Sequence, residues 1–187
     1  MGKATKPLCA LFLATACAAC QPAPEPQARL NIGMSISELN SQLANLGPKS
    51  HPAKPGVVGD WLGASGPFGL DVQFRAGTLH VPVSEHGGLQ LVTGRTDLNY
   101  LQADVAPQPL DSIEAHRVAE RLCAGARKAG LTIPVKSGPD IYVEDGNESV
   151  CSLHDEKQIL GVWIDRFQLE ENGQYRVLLD VSSMTEY

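Results

Sequence analysis

Histidine and cysteine side chains are the first candidates for metal chemistry in this sequence. The five histidines are His51, His80, His86, His116 and His154. No two of them have the spacing of a His-Glu-x-x-His metal site. His80 and His86 lie close enough in sequence to share zinc. Cys151 and His154 are also close enough in sequence to share zinc. A structural zinc site, however, needs four ligands. We therefore predict that the chain binds no metal.

Three further motifs are only partly like catalytic or phosphate-binding sites. His86-Gly87-Gly88 is typical of the oxyanion-hole strand of esterases, but that chemistry also needs a serine between spaced glycines, and residues 63–66 lack the spacing. The glycine-rich residues 59–69 are not followed by the Lys-Ser or Lys-Thr pair of a phosphate loop. The adjacent carboxylates at 155–156 and 170–171 fall in predicted turns, where they stay solvated. We predict no catalytic residue, no enzymatic activity and no cofactor.

Two cysteines have positions that suit a disulfide. Cys123 falls on the apolar face of a predicted helix, and Cys151 falls on a strand that follows it. We predict that they form a disulfide, which stabilises the fold by about 3 kcal/mol through its constraint on the unfolded chain. Two separate buried thiols are the alternative.

Trp61 and Phe68 are the aromatic residues best placed to contact a partner. Both lie on or beside the glycine-rich residues 59–69, and a large apolar side chain on a loop is often a contact anchor. Burial in the core is the alternative, because only 5% of the chain is aromatic and a sheet needs such side chains.

The first 19 residues have the layout of a signal peptide. Lys3 and Lys6 precede an uncharged apolar run from Leu8 to Ala19. That run is shorter than the roughly 20 residues that a transmembrane helix needs. Residues 20–29 contain three prolines without apolar periodicity, so they are predicted to form an extended tether, with one domain at residues 30–187.

Residues 13–20, Leu-Ala-Thr-Ala-Cys-Ala-Ala-Cys, resemble the lipobox of bacterial lipoproteins. Small residues precede each of its cysteines. The local pattern favours Cys17 as the lipidated residue, whereas lipidation of Cys20 leaves Cys123 and Cys151 as an even pair, so we favour Cys20 and keep Cys17 as the alternative. A secretory leader without a lipid is a further alternative. Neither cysteine precedes aspartate, and the resemblance therefore implies an anchor in the outer membrane that faces the periplasm.

Capping signals predict two helices. Ser35 with Glu38 forms a capping box, and the apolar spacing places the first helix at residues 36–46. Asp111 with Glu114 begins the second helix, which continues to about Gly130.

Alternating apolar residues predict strands after each helix. Residues 70–74 and 79–83 form a hairpin, and Pro82 predicts that its strand lies at a sheet edge. A short strand is expected at 89–92, a connection at 102–109, and further strands at 141–144, 149–153, 158–167 and 174–182. The pattern predicts an α+β fold of two layers, with the helices on one face of a mainly antiparallel sheet. Two tandem helix-then-strands halves, divided near residues 102–110, remain an open alternative.

The charge balance argues against some partners. The formal net charge is −6, and the basic residues are scattered. Such a surface disfavours nucleic acid, so we expect a protein partner and a membrane contact through the lipid anchor alone.

Residues 33–48 resemble the opening helix of small outer-membrane assembly accessory lipoproteins and of the related β-lactamase-inhibitor-like fold. The resemblance implies a helix packed on an antiparallel sheet. Our leading hypothesis is an immunity or inhibitor protein that neutralises a periplasmic toxin or wall hydrolase. The alternative is an outer-membrane assembly accessory or scaffold within an envelope complex.

Overall fold

The computed structural model describes residues 26–46, 52–54, 61–84, 87–105, 110–134, 147–166 and 175–184. In these residues the elements are β1 (Gln27–Leu30), α1 (Ile36–Ala44), β2 (Trp61–Ser65), β3 (Phe68–Gln73), β4 (Thr78–Val83), β5 (Gly88–Thr93), β6 (Leu98–Asp104), α2 (Ser112–Lys128), β7 (Ile133–Pro134), β8 (Asn147–His154), β9 (Gln158–Arg166) and β10 (Tyr175–Ser183). The α+β class with a mainly antiparallel sheet is as predicted.

Helix α1 begins at the predicted capping box. The hydroxyl of Ser35 accepts a hydrogen bond from the Glu38 backbone N–H, and the Ser35 N–H donates to the Glu38 carboxylate at 3.0 Å. The Ser35 hydroxyl also donates to the Glu38 carboxylate at 2.7 Å, and this hydrogen bond, followed by the one from the Ser35 N–H, lowers the pKa of Glu38. The helix ends at Ala44 with Asn45 as its C-cap, slightly before the predicted end at residue 46.

Helix α2 begins with a simpler cap than the sequence suggests. The Asp111 carboxylate accepts from the Glu114 backbone N–H at 2.8 Å. The Glu114 carboxylate, however, pairs with Arg117 and Arg121 on the exposed side of the helix. The buried side of α2 consists of small and apolar residues: Ala115, Ala119, Leu122, Cys123 and Ala126.

A three-stranded sheet has the order β1-β3-β4. Strands β3 and β4 form the predicted antiparallel hairpin, while β1 pairs with β3 in parallel. Pro82 lies in β4, an edge strand of this sheet, as predicted from its missing N–H. The tether predicted at residues 20–29 is too long at its C-terminal end, because Gln27 already pairs with Gly69 in the sheet.

The second sheet has seven strands in the order β2-β5-β6-β10-β9-β8-β7, all antiparallel. Strand β6 occupies part of the region predicted as a connection at 102–109, and it pairs with β10. The suggested boundary at 102–110 therefore does not divide two independent halves, since strands from both sides of it share one sheet. The strand predicted at 141–144 lies outside the described residues.

One continuous core contains buried side chains from both sheets and both helices. In β10, Val177, Leu179 and Val181 are in this core and alternate with residues of the opposite face. Helix α2 contacts β8, β9 and β10, and also β4 of the smaller sheet, while α1 contacts β1. The approach to β4 is close at Gly125, where a Cβ atom would lie 2.7 Å from a Leu79 methyl carbon.

Candidate functional site: the open face of the larger sheet

The seven-stranded sheet has two faces of different composition. The core face is mainly aliphatic. The opposite face, which we name the open face, consists of the alternate residues of the same strands. At its centre, strands β6, β10 and β9 bring polar, charged and aromatic side chains together with one leucine: Tyr100, Gln102, Asp104, Trp163, Asp165, Arg176, Leu178 and Asp180. These residues make up the candidate site.

Asp180 is the central carboxylate of the open face. It lies between Gln102 on β6 and Gly161 on β9, and the Tyr100 hydroxyl donates a hydrogen bond to its Oδ1 at 3.0 Å. Gln102 also donates to it. Asp180 interrupts an apolar run at residues 177–181, and this was the sequence signal that pattern analysis missed.

Trp163 lies over the neighbouring backbone of Gly161. A Cβ atom at Gly161 would be 2.6 Å from the indole nitrogen, so only glycine leaves room for this ring position. The indole N–H acts on Asp180 as a donor. Its geometry falls short of a hydrogen bond, and the atom is buried with no partner among the described residues.

Burial controls the ionisation of Asp180. Desolvation raises the pKa of its carboxyl above the ordinary value, and donors from Gln102, Tyr100 and Trp163 oppose this shift in part. A carboxylate held in this way favours a donor or a cation from a ligand, because either compensates for its lost hydration.

Arg176 links two further carboxylates on the same face. Its Nη2 atom is 2.6 Å from Asp165 Oδ2, and its Nη1 atom is 4.0 Å from Asp104 Oδ2. The side chains of Arg176, Asp165 and Asp104 are 37%, 18% and 26% exposed, respectively. With Asp180, the central open face thus holds three carboxylates against one guanidinium.

Apolar side chains surround these charges. Val92, Tyr100, Ile159 and Trp163 are half-buried on the open face, and Leu178 is 9% exposed beside Trp163. None of them belongs to the core cluster formed by the described residues. The open face therefore carries apolar surface that the core does not use.

The two aromatic residues singled out in the sequence have different outcomes. The prediction that Phe68 contacts a partner is wrong, because Phe68 lies in β3 and its side chain is buried in the core, with only 1% exposed. The stretch around it is not a loop, since residues 61–65 and 68–73 are strands of different sheets. Trp61 begins β2, and its side chain lies outside the described part of the structure.

Cys123 and Cys151 form a disulfide, as the sequence predicts. It connects α2 to the core face of β8, where Cys151 pairs with Val162. Cys151 is therefore not available as a thiolate ligand to share zinc with His154. The proposed lipidation residues, Cys20 and its alternative Cys17, lie outside the described residues.

The histidines that the structure describes make separate contacts. His80 contacts Asp71 at 2.8 Å on the exposed side of the smaller sheet, and His116 contacts Glu148 at 3.2 Å. The carbonyl of Ser112, followed by Glu148, raises the pKa of His116. Across the described ranges, no three His, Cys, Asp or Glu side chains gather in a way that could hold a metal ion. His51 and His86 lie outside those ranges.

Comparison with protein-family models, curated proteins and solved structures finds no match for this chain. Among the described helices, neither combines the length and apolar character required to cross a membrane.

Proposed function

We propose that this chain is a membrane-tethered, periplasmic protein-binding lipoprotein, and specifically an immunity or inhibitor protein that neutralises a toxin or a wall hydrolase. The observation that carries the proposal is the open face, whose apolar and acidic side chains lie outside the core. The protein acts by occupying its partner, not by turnover.

Trp163 and Tyr100 supply the anchors of the proposed contact. Both are half-buried, and both are held in place by the contacts around Asp180. Tryptophan and tyrosine dominate the energetics of many protein interfaces, particularly near the centre of the buried patch. Because these side chains are already fixed, binding costs little side-chain entropy.

Charge selects the partner class. The central open face has carboxylates at Asp104, Asp165 and Asp180 against the single cation of Arg176, and the whole chain has a net charge of −6. This distribution complements a basic protein and increases its association rate at low salt. We therefore expect a basic toxin or hydrolase.

Anchoring completes the proposal. Lipidation of Cys20, with Cys17 as the alternative, attaches the domain to the periplasmic side of the outer membrane, and the proline-rich residues before β1 supply reach. Helix α2 contacts β8, β9 and β10 through its buried side, on the core face of the larger sheet. The open face is then available to the partner.

Affinity capture with matched variants tests the function. The mature domain is crosslinked in envelope extract and in culture fluid of neighbouring strains, and captured proteins are identified by mass spectrometry. We expect one basic soluble partner whose capture decreases with salt. The double variant Tyr100→Ala/Trp163→Ala should lose it, while Asp71→Asn on the smaller sheet should retain it. Thermal unfolding of each variant verifies that it is folded.

Two outcomes would replace the proposal. Capture of an outer-membrane barrel complex would support the scaffold function, which the resemblance of residues 33–48 favours. A partner held equally by the wild type and the folded double variant would move the binding surface away from the open face. Intact mass of the exported protein distinguishes lipid on Cys20 from lipid on Cys17.

A further inference from the structure

A cleft of about 630 Å³ lies where the two sheets meet at one end. Its walls come from the residues after β1, from the β3–β4 turn and from the β8–β9 turn. The lining includes Asn31, Ile32, Phe74, Arg75, Lys157 and Gln158. This volume falls within the range of about 300–1,000 Å³ that is typical of small-molecule sites. None of these residues belongs to the central open face.

Gln158 has a buried side-chain oxygen in the cleft lining that the described part of the fold does not satisfy. It is only 9% exposed, and its side-chain Oε1 atom has no hydrogen-bond partner among the described residues. Its backbone N–H is occupied, since it donates to Asp155 at 2.8 Å and thereby fixes the turn. Buried polar side-chain atoms in proteins are nearly always satisfied, so this oxygen requires a donor that the described residues do not supply.

Charged side chains of both signs line the cleft. The carboxylate of Asp155 is among them, and it accepts hydrogen bonds from the backbone N–H groups of Lys157 and Gln158. Lys157 and Arg75 both line the cleft, and Arg75 forms an exposed ion pair with Glu156 on the opposite turn. That ion pair connects the smaller sheet to the larger one. An exposed ion pair is weak, so an anionic ligand can compete with Glu156 for the guanidinium.

Apolar surface completes the cleft. Phe74 is 8% exposed and Ile32 packs against the core, so both are fixed in position. The cleft thus combines an unsatisfied acceptor, two cations, the carboxylate of Asp155 and an apolar contact. We propose that it binds a small carboxylate that also carries an N–H donor, of the amino acid or short-peptide class. The carboxylate contacts Lys157 and Arg75, and the donor reaches Gln158 Oε1.

This inference is independent of the proposed protein-binding function. Calorimetric titration of the purified domain with the dipeptide alanylalanine tests it, with the C-terminally amidated dipeptide as the matched probe. We expect saturable binding of alanylalanine and at least about tenfold weaker binding of the amide, because a charge-assisted hydrogen bond is lost.

Variants assign the contacts. Gln158→Leu and Lys157→Gln should each weaken binding of alanylalanine by about tenfold. Glu156→Gln should strengthen it a few-fold, since Arg75 is released from its ion pair. Arg117→Gln removes a positive charge from α2, outside the cleft, and should leave binding unchanged.

Thermal unfolding distinguishes a ligand site from a structural role. Gln158→Leu removes an unsatisfied buried acceptor, so its melting temperature should equal or exceed that of the wild type. Absence of saturable binding at millimolar dipeptide, or equal binding of the acid and the amide, would overturn the proposal. Binding that Gln158→Leu leaves unchanged in a folded protein would do the same.

Discussion

The two faces of the seven-stranded sheet are made from the same strands but have different chemistry. On β10, the core face presents Val177, Leu179 and Val181, all with 0% exposure. The residues between them are Leu178 and Asp180, on the open face. The core face is mainly aliphatic, whereas the open face combines carboxylates, amides and aromatic rings.

The difference shows which residues the fold itself requires. Aliphatic packing on the core face accounts for burial of the sheet, and α2 and the smaller sheet cover it. The open face adds a buried carboxylate, whose desolvation opposes folding. A desolvated carboxyl group that is surrounded by donors is consistent with the proposed role of the open face in binding.

Adjacent leucines on β10 provide the largest expected contrast. Leu179→Ala should lower the free energy of unfolding by about 3–5 kcal/mol, because it leaves a cavity in the core. Leu178→Ala should lower the free energy of unfolding by less than about 2 kcal/mol, because its neighbours on the open face can adjust to the smaller side chain. Urea denaturation measures both. Equal losses would show that the open face is packed as tightly as the core.

The disulfide is the next largest effect, and it tests the core face alone. Replacing Cys123 and Cys151 together by Ala should lower the free energy of unfolding by about 3 kcal/mol, because the bond closes a loop with a sequence separation of 28. Urea denaturation again measures it. Partner capture through the open face should persist in the folded variant. A loss below about 1 kcal/mol would contradict the loop-closure explanation.

Two glycines of the open face offer a smaller, local contrast. Gly161→Ala should lower the free energy of unfolding by about 1–3 kcal/mol and displace the Trp163 indole, because the new Cβ atom would clash with the indole nitrogen. Gly63→Ala is the control, since its Cβ would have only an ordinary contact of 3.7 Å with the Leu89 carbonyl. Tryptophan fluorescence and denaturation compare them. The same spectrum and stability in both variants would contradict the described indole position.

The smallest effect is the pH dependence from Asp180. Its pKa is raised in the folded state, so the folded protein holds the proton more tightly than the unfolded chain, whose aspartates titrate near pH 3.9. This contribution to stability is complete below the unfolded pKa and is lost as the pH rises through the folded pKa. The wild type should therefore gain stability relative to Asp180→Asn on acidification from about pH 7 to about pH 4.

Urea denaturation of both proteins across this pH range gives the difference directly. Other titrating groups are common to the two chains, so their contributions cancel. A difference that does not vary with pH would contradict a raised pKa of Asp180.

Local signals explain which elements were predictable. Both helices were predictable from their capping residues, which are Ser35 with Glu38 and Asp111 with Glu114. The β3–β4 hairpin was predictable from the alternation of apolar and polar residues. Strand β6 was missed because its exposed side is itself half-buried, so Tyr100 and Gln102 blur the alternation. The parallel pairing of β1 with β3 joins distant segments and has no local signal.

The candidate site was less predictable than the fold. Tyr100, Trp163 and Asp180 come from three strands and meet only through the sheet register. No fixed sequence spacing relates them. By contrast, Cys123 and Cys151 were predictable as a pair because each falls on the buried side of its own element. The cleft at Gln158 depends on the ends of two different sheets, which no single segment encodes.

The central position of β10 has a consequence for the order of assembly. This last strand of the described chain lies between β6 and β9, so before it pairs the larger sheet consists of two separate pieces, β2-β5-β6 and β9-β8-β7. Each piece exposes an unpaired edge until β10 inserts. Non-local pairing of this kind slows folding. When the chain emerges N-terminus first, the larger sheet cannot close until residues 175–183 are available. Chaperone binding during that interval would protect the unpaired edges.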